Sequence, residues 1–234
     1  MNPTTPFAQI TRRIIACERC PELRAYCAEI GQVKKRSLRG ETYWAKPVPA
    51  FGDEHARVAL VGLAPGAHGS NRTGRMFTGD ASGVWLFRAL YRAGFANQPE
   101  QRDRDDGLQL NDVLITAALR CAPPRNSPTP EQMRRCVPYL REELVALNQL
   151  RIVVGLGAIG TRAALDALKE TGWHFPERLR FAHGAEITGS HREYPHRITL
   201  LASYHPSRQN TNTGVLTEPM FDAIFTRVRE ILEG

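Results

Sequence analysis

An α/β architecture with a central parallel sheet follows from two features of this 234-residue chain. Four short apolar runs, "RVALVGL", "DVLITAAL", "RIVVGLG" and "RITLLAS", have the character of strands buried on both faces. Between them lie the helical patterns "SGVWLFRALYRAG", "TPEQMRRCVPYLREELVALN" and "GTRAALDALKETG", so strand and helix alternate. The length suits one medium domain, taken as residues 1–234. With 42% hydrophobic and 24% charged residues it reads as a soluble globular chain, and no apolar run approaches the ~20 residues that span a bilayer.

In chain order, the first helix is expected to open at Thr5-Pro6 and run into Cys17, with Thr5 as cap and Pro6 in the first turn. Pro21 is expected to interrupt or end it. The N-terminus lacks the basic flank, apolar stretch and cleavage site of a signal peptide, so a cytoplasmic protein is expected. A basic, irregular stretch follows, "VKKRSLRGETYWAKPVPAFGD". It reads as a linker, or as a nucleic-acid contact through Tyr43 and Trp44 among the cations. Further on, Thr129, Pro130 and Gln132 give one helix a capping box. The last helix, "EPMFDAIFTRVREILE", gathers its apolar positions 221, 224, 225, 228 and 231 on one face.

Ligands of open parallel sheets bind at the carboxyl ends of the strands, so the informative loops are 62–80, 121–130, 155–160 and 203–216. The first, "GLAPGAHGSNRTGRMFTGD", matches half a P-loop from Gly69 to Gly74. Arg75 and Met76 then stand where Lys and Ser or Thr belong. "GLGAIG", Gly155–Gly160, fits the dinucleotide fingerprint but follows the third strand rather than the first. Close helix–strand packing explains its glycines as well as a pyrophosphate would.

The net charge is +7, carried by 27 Arg and only 4 Lys. Guanidinium-rich surfaces suit a polyanionic partner, although an arginine-heavy genome gives the same balance. Five cysteines, an odd number, argue against a disulfide framework. Cys17 and Cys20 are three apart, and Cys121 and Cys136 stand far downstream. Together they suit a four-thiolate zinc or iron–sulfur site, or else four unrelated buried thiols. Cys27 is left to pack.

Three polar residues stand out at the strand ends. His205 opens "SYHPSRQNTNTG" directly after the last strand, a segment suited to a backbone hairpin pressed into a nucleic-acid groove, with Arg208 and Gln209 near its tip. Asp80 closes the glycine loop, where a plain N-cap is the competing role. Asn126 lies in "CAPPRNSPTP", where an Asx turn competes.

Jointly, "GLAPG", "RCAPPRNSPTPEQ" and "SYHPSRQNTNTG", in this order and with Cys17, Cys20, Cys121 and Cys136, resemble the uracil-DNA glycosylase superfamily. "GLAPGAHGSNRTGRMFTGD" and "HPSRQNTNTGVLT" are similar to its iron–sulfur family-5 type. The resemblance runs from about Cys17 to the last helix. It implies a three-layer α/β/α sandwich around a four-stranded parallel sheet, with a [4Fe–4S] cluster on those four cysteines. It also implies an enzyme that flips a deaminated base out of DNA and hydrolyses its glycosidic bond.

Asp80, Asn126 and His205 are then the expected catalytic residues, and Ala64, Gly66, Phe77 and Asn210 the substrate-binding ones. Phe77 would stack on the flipped ring, and the small residues Ala64, Gly66 and Gly69 would let base and sugar approach the backbone. Uracil-strict relatives with the same cluster carry Glu at the place of Leu63 and Asn at the place of Ala117. Other members hold water with Asp or Asn at the place of Ala64. The Ala64 departure implies that the water is held differently, by Asp80 or Asn126, and the missing Asn at Ala117 implies a looser pocket that admits hypoxanthine and other damaged bases. No lysine is placed to form an imine, so hydrolysis should leave an abasic site. The competing readings are a uracil-strict glycosylase and a non-catalytic module that binds damaged DNA. A monomer is the default.

Overall fold

The computed structural model describes residues 5–234. The N-terminal segment forms α1 (Pro6–Ile15) and α2 (Pro21–Val33). Thr5 caps α1, its Oγ1 accepting from the Ala8 amide at 3.1 Å. The first helix stops before Cys17, and Pro21 opens α2 rather than ending α1, since a proline at the first helical position lacks only an N–H the helix leaves unused. The body then runs β1 (Phe51–Gly52), β2 (Val58–Gly62), α3 (Ser70–Thr73), α4 (Ala81–Arg92), β3 (Val113–Ala117), α5 (Pro130–Ala146), β4 (Ile152–Leu156) and α6 (Gly157–Glu170). It closes with β5 (Glu186–Gly189), β6 (Ile198–Ser203), α7 (Arg208–Asn212) and α8 (Glu218–Glu233).

The sheet order is β1-β3-β2-β4-β6-β5. The four expected strands form its parallel centre, β3-β2-β4-β6, paired Leu60 to Ile115, Leu60 to Val154 and Val154 to Leu201. Two short antiparallel strands, β1 and β5, extend it at the edges, so the sheet has six strands rather than four.

Successive side chains of a strand face opposite sides, and each side has its own helical layer. Val58, Leu60, Ile115 and Val154 face α4 and α8, meeting Leu86, Phe87, Phe221 and Phe225. Ala59, Val61, Leu114 and Val153 face the other layer, meeting Leu140 and Leu144 of α5 and Ala164 and Leu168 of α6. The result is a three-layer α/β/α sandwich. Truncating a ring as deeply buried as Phe225, 1% exposed, to Ala would cost about 3–5 kcal/mol. A third cluster joins Ile10, Ile14, Leu23 and Cys27 to Leu119 and Tyr139, seating the N-terminal helices on the start of the β3–α5 connection.

The glycines of "GLGAIG" serve packing. A Cβ on Gly160 would lie 2.4 Å from the Val61 carbonyl, and one on Gly155 would lie 2.3 Å from Thr161 Cα. These glycines let α6 press against the sheet. Trp44 is likewise taken up internally. Its amide donates to the Arg72 carbonyl at 2.8 Å, its indole nitrogen donates to the Pro47 carbonyl, and its ring packs on Gly74. Tyr43 is 8% exposed. The two aromatics buttress the glycine loop from behind rather than offering their faces to a nucleic acid.

Candidate active site

The four informative loops meet at the carboxyl edge of the sheet, where two clefts share the 204–210 segment. The polar one, about 1520 Å³, is walled by Ala67, His68, Gly69, Asp80, Asn126, Ser207 and Arg208. Lys35 and Arg125 also line it, so its rim is cationic around the Asp80 carboxylate. The apolar one, about 970 Å³, is lined by Leu63, Leu156, Gly157, Ile159, Phe181, Tyr204, His205 and Asn210.

Asp80 ends the glycine loop as the N-cap of α4, with Oδ1 accepting from the Gly83 amide at 3.0 Å. Its other oxygen lies over the glycine loop, where a Cβ on Gly66 would stand 3.0 Å from Oδ2. The room left by Gly66 and Gly69 is thus used first by this carboxylate. Gln101 steadies the turn before it, accepting from the Gly79 amide at 2.5 Å and donating to the Asp80 carbonyl at 3.3 Å. The capping role and exposure to the cleft coexist in one side chain.

His205 follows β6 by two residues. Its ring stacks on Phe77 with centroids 5.7 Å apart and planes at 28°. Burial pushes its pKa below the ordinary imidazole value, while the nearby Asp80 carboxylate pulls the other way. Burial wins, leaving a neutral ring at pH 7. Gly157, with φ of 82°, lies beneath it, where an added Cβ would come within 3.2 Å of His205 Cβ.

Phe77 is 9% exposed and holds φ of 54°, a left-handed conformation that costs a bulky residue about 1–3 kcal/mol. Gly83 allows it, because a Cβ there would collide with the Phe77 carbonyl at 1.7 Å. Strain of this kind persists where the surroundings enforce it, and here it sets the ring beside His205. Asn210 donates through Nδ2 to the His205 carbonyl at 2.8 Å, so its amide is spent on the backbone of that histidine. The segment is not a hairpin. Ser207 caps the one-turn helix α7, which carries Arg208 and Gln209 exposed in its first turn.

Asn126 is exposed on the polar cleft's wall, and both it and Arg125 hold φ of 55°. Ala64 packs against the third core cluster at the base of the loop. Arg75, standing where a P-loop lysine would, is 4% exposed and pairs bidentately with Asp106, both contacts at 2.7 Å. That guanidinium holds the Asp106 carboxyl far below its usual range and is closed to any phosphate. Sequence reasoning missed this pair, the Gln101 brace and the cleft-facing Lys35, because each partner lies in an irregular segment with no periodic signal.

Cys17, Cys20, Cys121 and Cys136 line one small cavity beneath the 121–130 loop. All five cysteines are free, and Cys27 packs beside this cavity with its thiol 3.7 Å from the Ala122 carbonyl. Among the described residues no three His, Cys, Asp or Glu side chains stand close enough together to hold one metal ion. The Arg120 amide donates to Cys136 Sγ at 3.2 Å. The Arg120 guanidinium, 1% exposed, lines the same cavity. It gives one nitrogen to Glu143 at 2.6 Å, while Nε and Nη1 have no partner. Four thiols and unpartnered guanidinium nitrogens around one cavity fit an anionic group held through sulfur.

Sheet, loop order and clefts together define a three-layer α/β/α domain of the DNA N-glycosylase class. The chain belongs to the Uracil DNA glycosylase superfamily, whose family model matches residues 49–229. It is similar to a Type-5 uracil-DNA glycosylase of Thermus thermophilus, with 49% identity over 221 residues, covering 93% of this chain and 94% of that protein. A Type-5 uracil-DNA glycosylase of Mycobacterium tuberculosis is 42% identical over 226 residues, 96% of this chain and 81% of its own length. A Type-4 uracil-DNA glycosylase of Pyrobaculum aerophilum is 30% identical over 166 residues, 70% and 74%. No helix among the described residues is long and apolar enough to cross a membrane.

Proposed function

We propose that this protein is a monofunctional glycosylase that hydrolyses the N-glycosidic bond of uracil, and also of hypoxanthine and other deaminated bases, flipped out of DNA. The observation that carries the reading is that Asp80 and Asn126 line one cleft while a neutral His205, near enough to feel the Asp80 carboxylate, lines the adjoining one beside the strained Phe77. The glycosidic bond breaks largely before water arrives, leaving an oxocarbenium-like sugar and an anionic base. A neutral imidazole donates a hydrogen bond to the oxyanion developing on the base, as preorganised donors do elsewhere. The Asp80 carboxylate faces the sugar cation or orients the water, and Asn126 positions water or base. Phe77 backs the His205 ring against which the base would lie, Gly66 leaves room for the Asp80 carboxylate, Ala64 sits at the base of that loop, and Asn210 acts through the backbone of His205. Ala117, 1% exposed at the end of β3, offers no amide to read the base edge, which supports a broad base range.

Cys17, Cys20, Cys121 and Cys136 would hold a [4Fe–4S] cluster, which supplies a structural cross-link rather than reaction chemistry. The two downstream cysteines bracket the loop that carries Asn126, so the four thiols tie that loop to the N-terminal segment. Unpaired cysteines fit a reducing compartment, and the enzyme is taken to work as a cytoplasmic monomer on DNA.

The test uses end-labelled duplexes carrying uracil, hypoxanthine or thymine, incubated with protein and then treated with hot alkali. Alkali-dependent breaks at uracil and hypoxanthine are expected. Breaks at uracil alone would make the enzyme uracil-strict. Binding without any break would leave a damage-recognition module.

A further inference from the structure

His183 lies in the connection between α6 and β5, and both of its ring nitrogens are committed. Nδ1 is 3.1 Å from the Tyr204 amide nitrogen, and Nε2 is 3.0 Å from the Met220 carbonyl in the first turn of α8. A backbone N–H only donates and a carbonyl only accepts. The ring therefore accepts at Nδ1 and donates from Nε2, which selects a single neutral tautomer. The ladder of β6 ends at Ser203, so the next amide takes its hydrogen bond from this side chain. The Tyr204 ring packs on the imidazole at 5.2 Å and on Phe181 at 6.0 Å.

Tyr204 directly precedes His205. On the far side, the His205 carbonyl accepts from the Ser207 amide and from Asn210 Nδ2, both at 2.8 Å. The backbone that aims the His205 ring is thus held from both sides by groups outside the sheet, and the upstream hold is one imidazole braced against α8. We infer that His183 is a positioning residue for His205. The inference rests on the role given to His205 above. A displacement of about 1 Å at a reacting group costs as much as 10²-fold in rate, so a staple four bonds from the His205 Cα is well placed to matter.

The experiment compares His183→Ala, His183→Asn and His183→Gln in the full-length protein. Single-turnover uracil release is read beside amide hydrogen exchange at Tyr204. His183→Ala should lower kcat by about 10-fold or more with KM for DNA little changed, and should raise Tyr204 exchange by a similar factor. His183→Asn, whose Oδ1 can accept from the Tyr204 amide, should recover most of both. His183→Gln, which reaches towards Met220 instead, should not. The Asn and Gln pair decides the matter if the alanine variant does not accumulate folded. Unchanged kcat and exchange in His183→Ala would overturn the inference. So would a rate loss that tracks melting temperature and that Asn fails to recover. Exchange needs no substrate, so a wild-type protein that released no base would sink the glycosylase reading while the staple itself was still decided.

Discussion

The Asp80 carboxylate occupies the space that a side chain on Gly69 would need: a Cβ there would stand 2.3 Å from Oδ2 and 2.9 Å from the carboxyl carbon. The glycine loop therefore shapes a seat for an acid, and the phosphate cradle its spacing resembles is not what it forms. Gly69→Ala should swing the carboxylate away and lower base release on the order of 10²-fold, as loss of a positioned group does. The melting temperature should fall by only a few degrees, since the cap that is strained is worth about 1 kcal/mol. Single-turnover kinetics beside a thermal melt measure both.

Charge and cap at position 80 can be separated. Asn is as good a cap as Asp, so Asp80→Asn should melt with the wild type while its rate falls roughly 10²–10³-fold. A rate within threefold of wild type would confine Asp80 to holding α4.

Burial holds the His205 pKa below 6.5, so the neutral donor is the major form from that pH upwards. The rate should be flat above pH 6.5 and decline only under more acid conditions. Stability moves the same way. The unfolded chain takes up this proton near 6.5 and the folded one only lower, so the contribution is whole above pH 6.5 and is lost as pH falls through the folded pKa. His205→Asn donates without titrating and should be slower but lack this acid limb. A wild-type rate that instead fell as pH rose through the His205 pKa would point to the imidazolium.

Ala117 ends β3 with 1% exposure beside Phe77 in the same core cluster. Ala117→Asn places a reading amide there. The ratio of uracil to hypoxanthine release should rise by about tenfold or more, because a wrong base would leave that amide unpaired. An unchanged ratio in competition assays would mean that selectivity is set elsewhere.

If Cys17 holds the proposed [4Fe–4S] cluster, Cys17→Ser should lower the melting temperature and the specific activity of the folded fraction together, with loss of the cluster's visible absorbance. A fall in stability with specific activity retained would separate the thiol-lined cavity from the placement of Asn126.

The parallel centre of the fold was legible because β2, β3, β4 and β6 are buried along their whole length and therefore mostly apolar. The Thr129 capping box was legible because its partners are three residues apart. The edges were not. β1 is two residues long, and β5 buries only Ile187 and Gly189 of four. The helix α7 hides in a run of Ser, Asn and Thr that reads as loop, although Ser207 does cap it. At the site, Asp80 and His205 lie in loops that leave strand ends, and the four cavity cysteines are of a recognisable ligand type. Arg75, Gln101 and His183 gain their meaning from partners 31, 22 and 37 residues away, and nothing local announces those contacts.

The thiol-lined cavity joins the two sides of a long stretch of chain, and Cys27 already reaches across 95 residues to Ala122. At roughly 5–20 residues per second, the ribosome takes on the order of 5–20 s to make that stretch. For that interval Cys17 and Cys20 have emerged while the partners that share their cavity are still unmade. The N-terminal helices can dock only once the β3–α5 connection has been made. A newly made chain therefore passes through a stage with a bare CxxC pair, and the reducing power of its surroundings during synthesis becomes part of what it needs to mature.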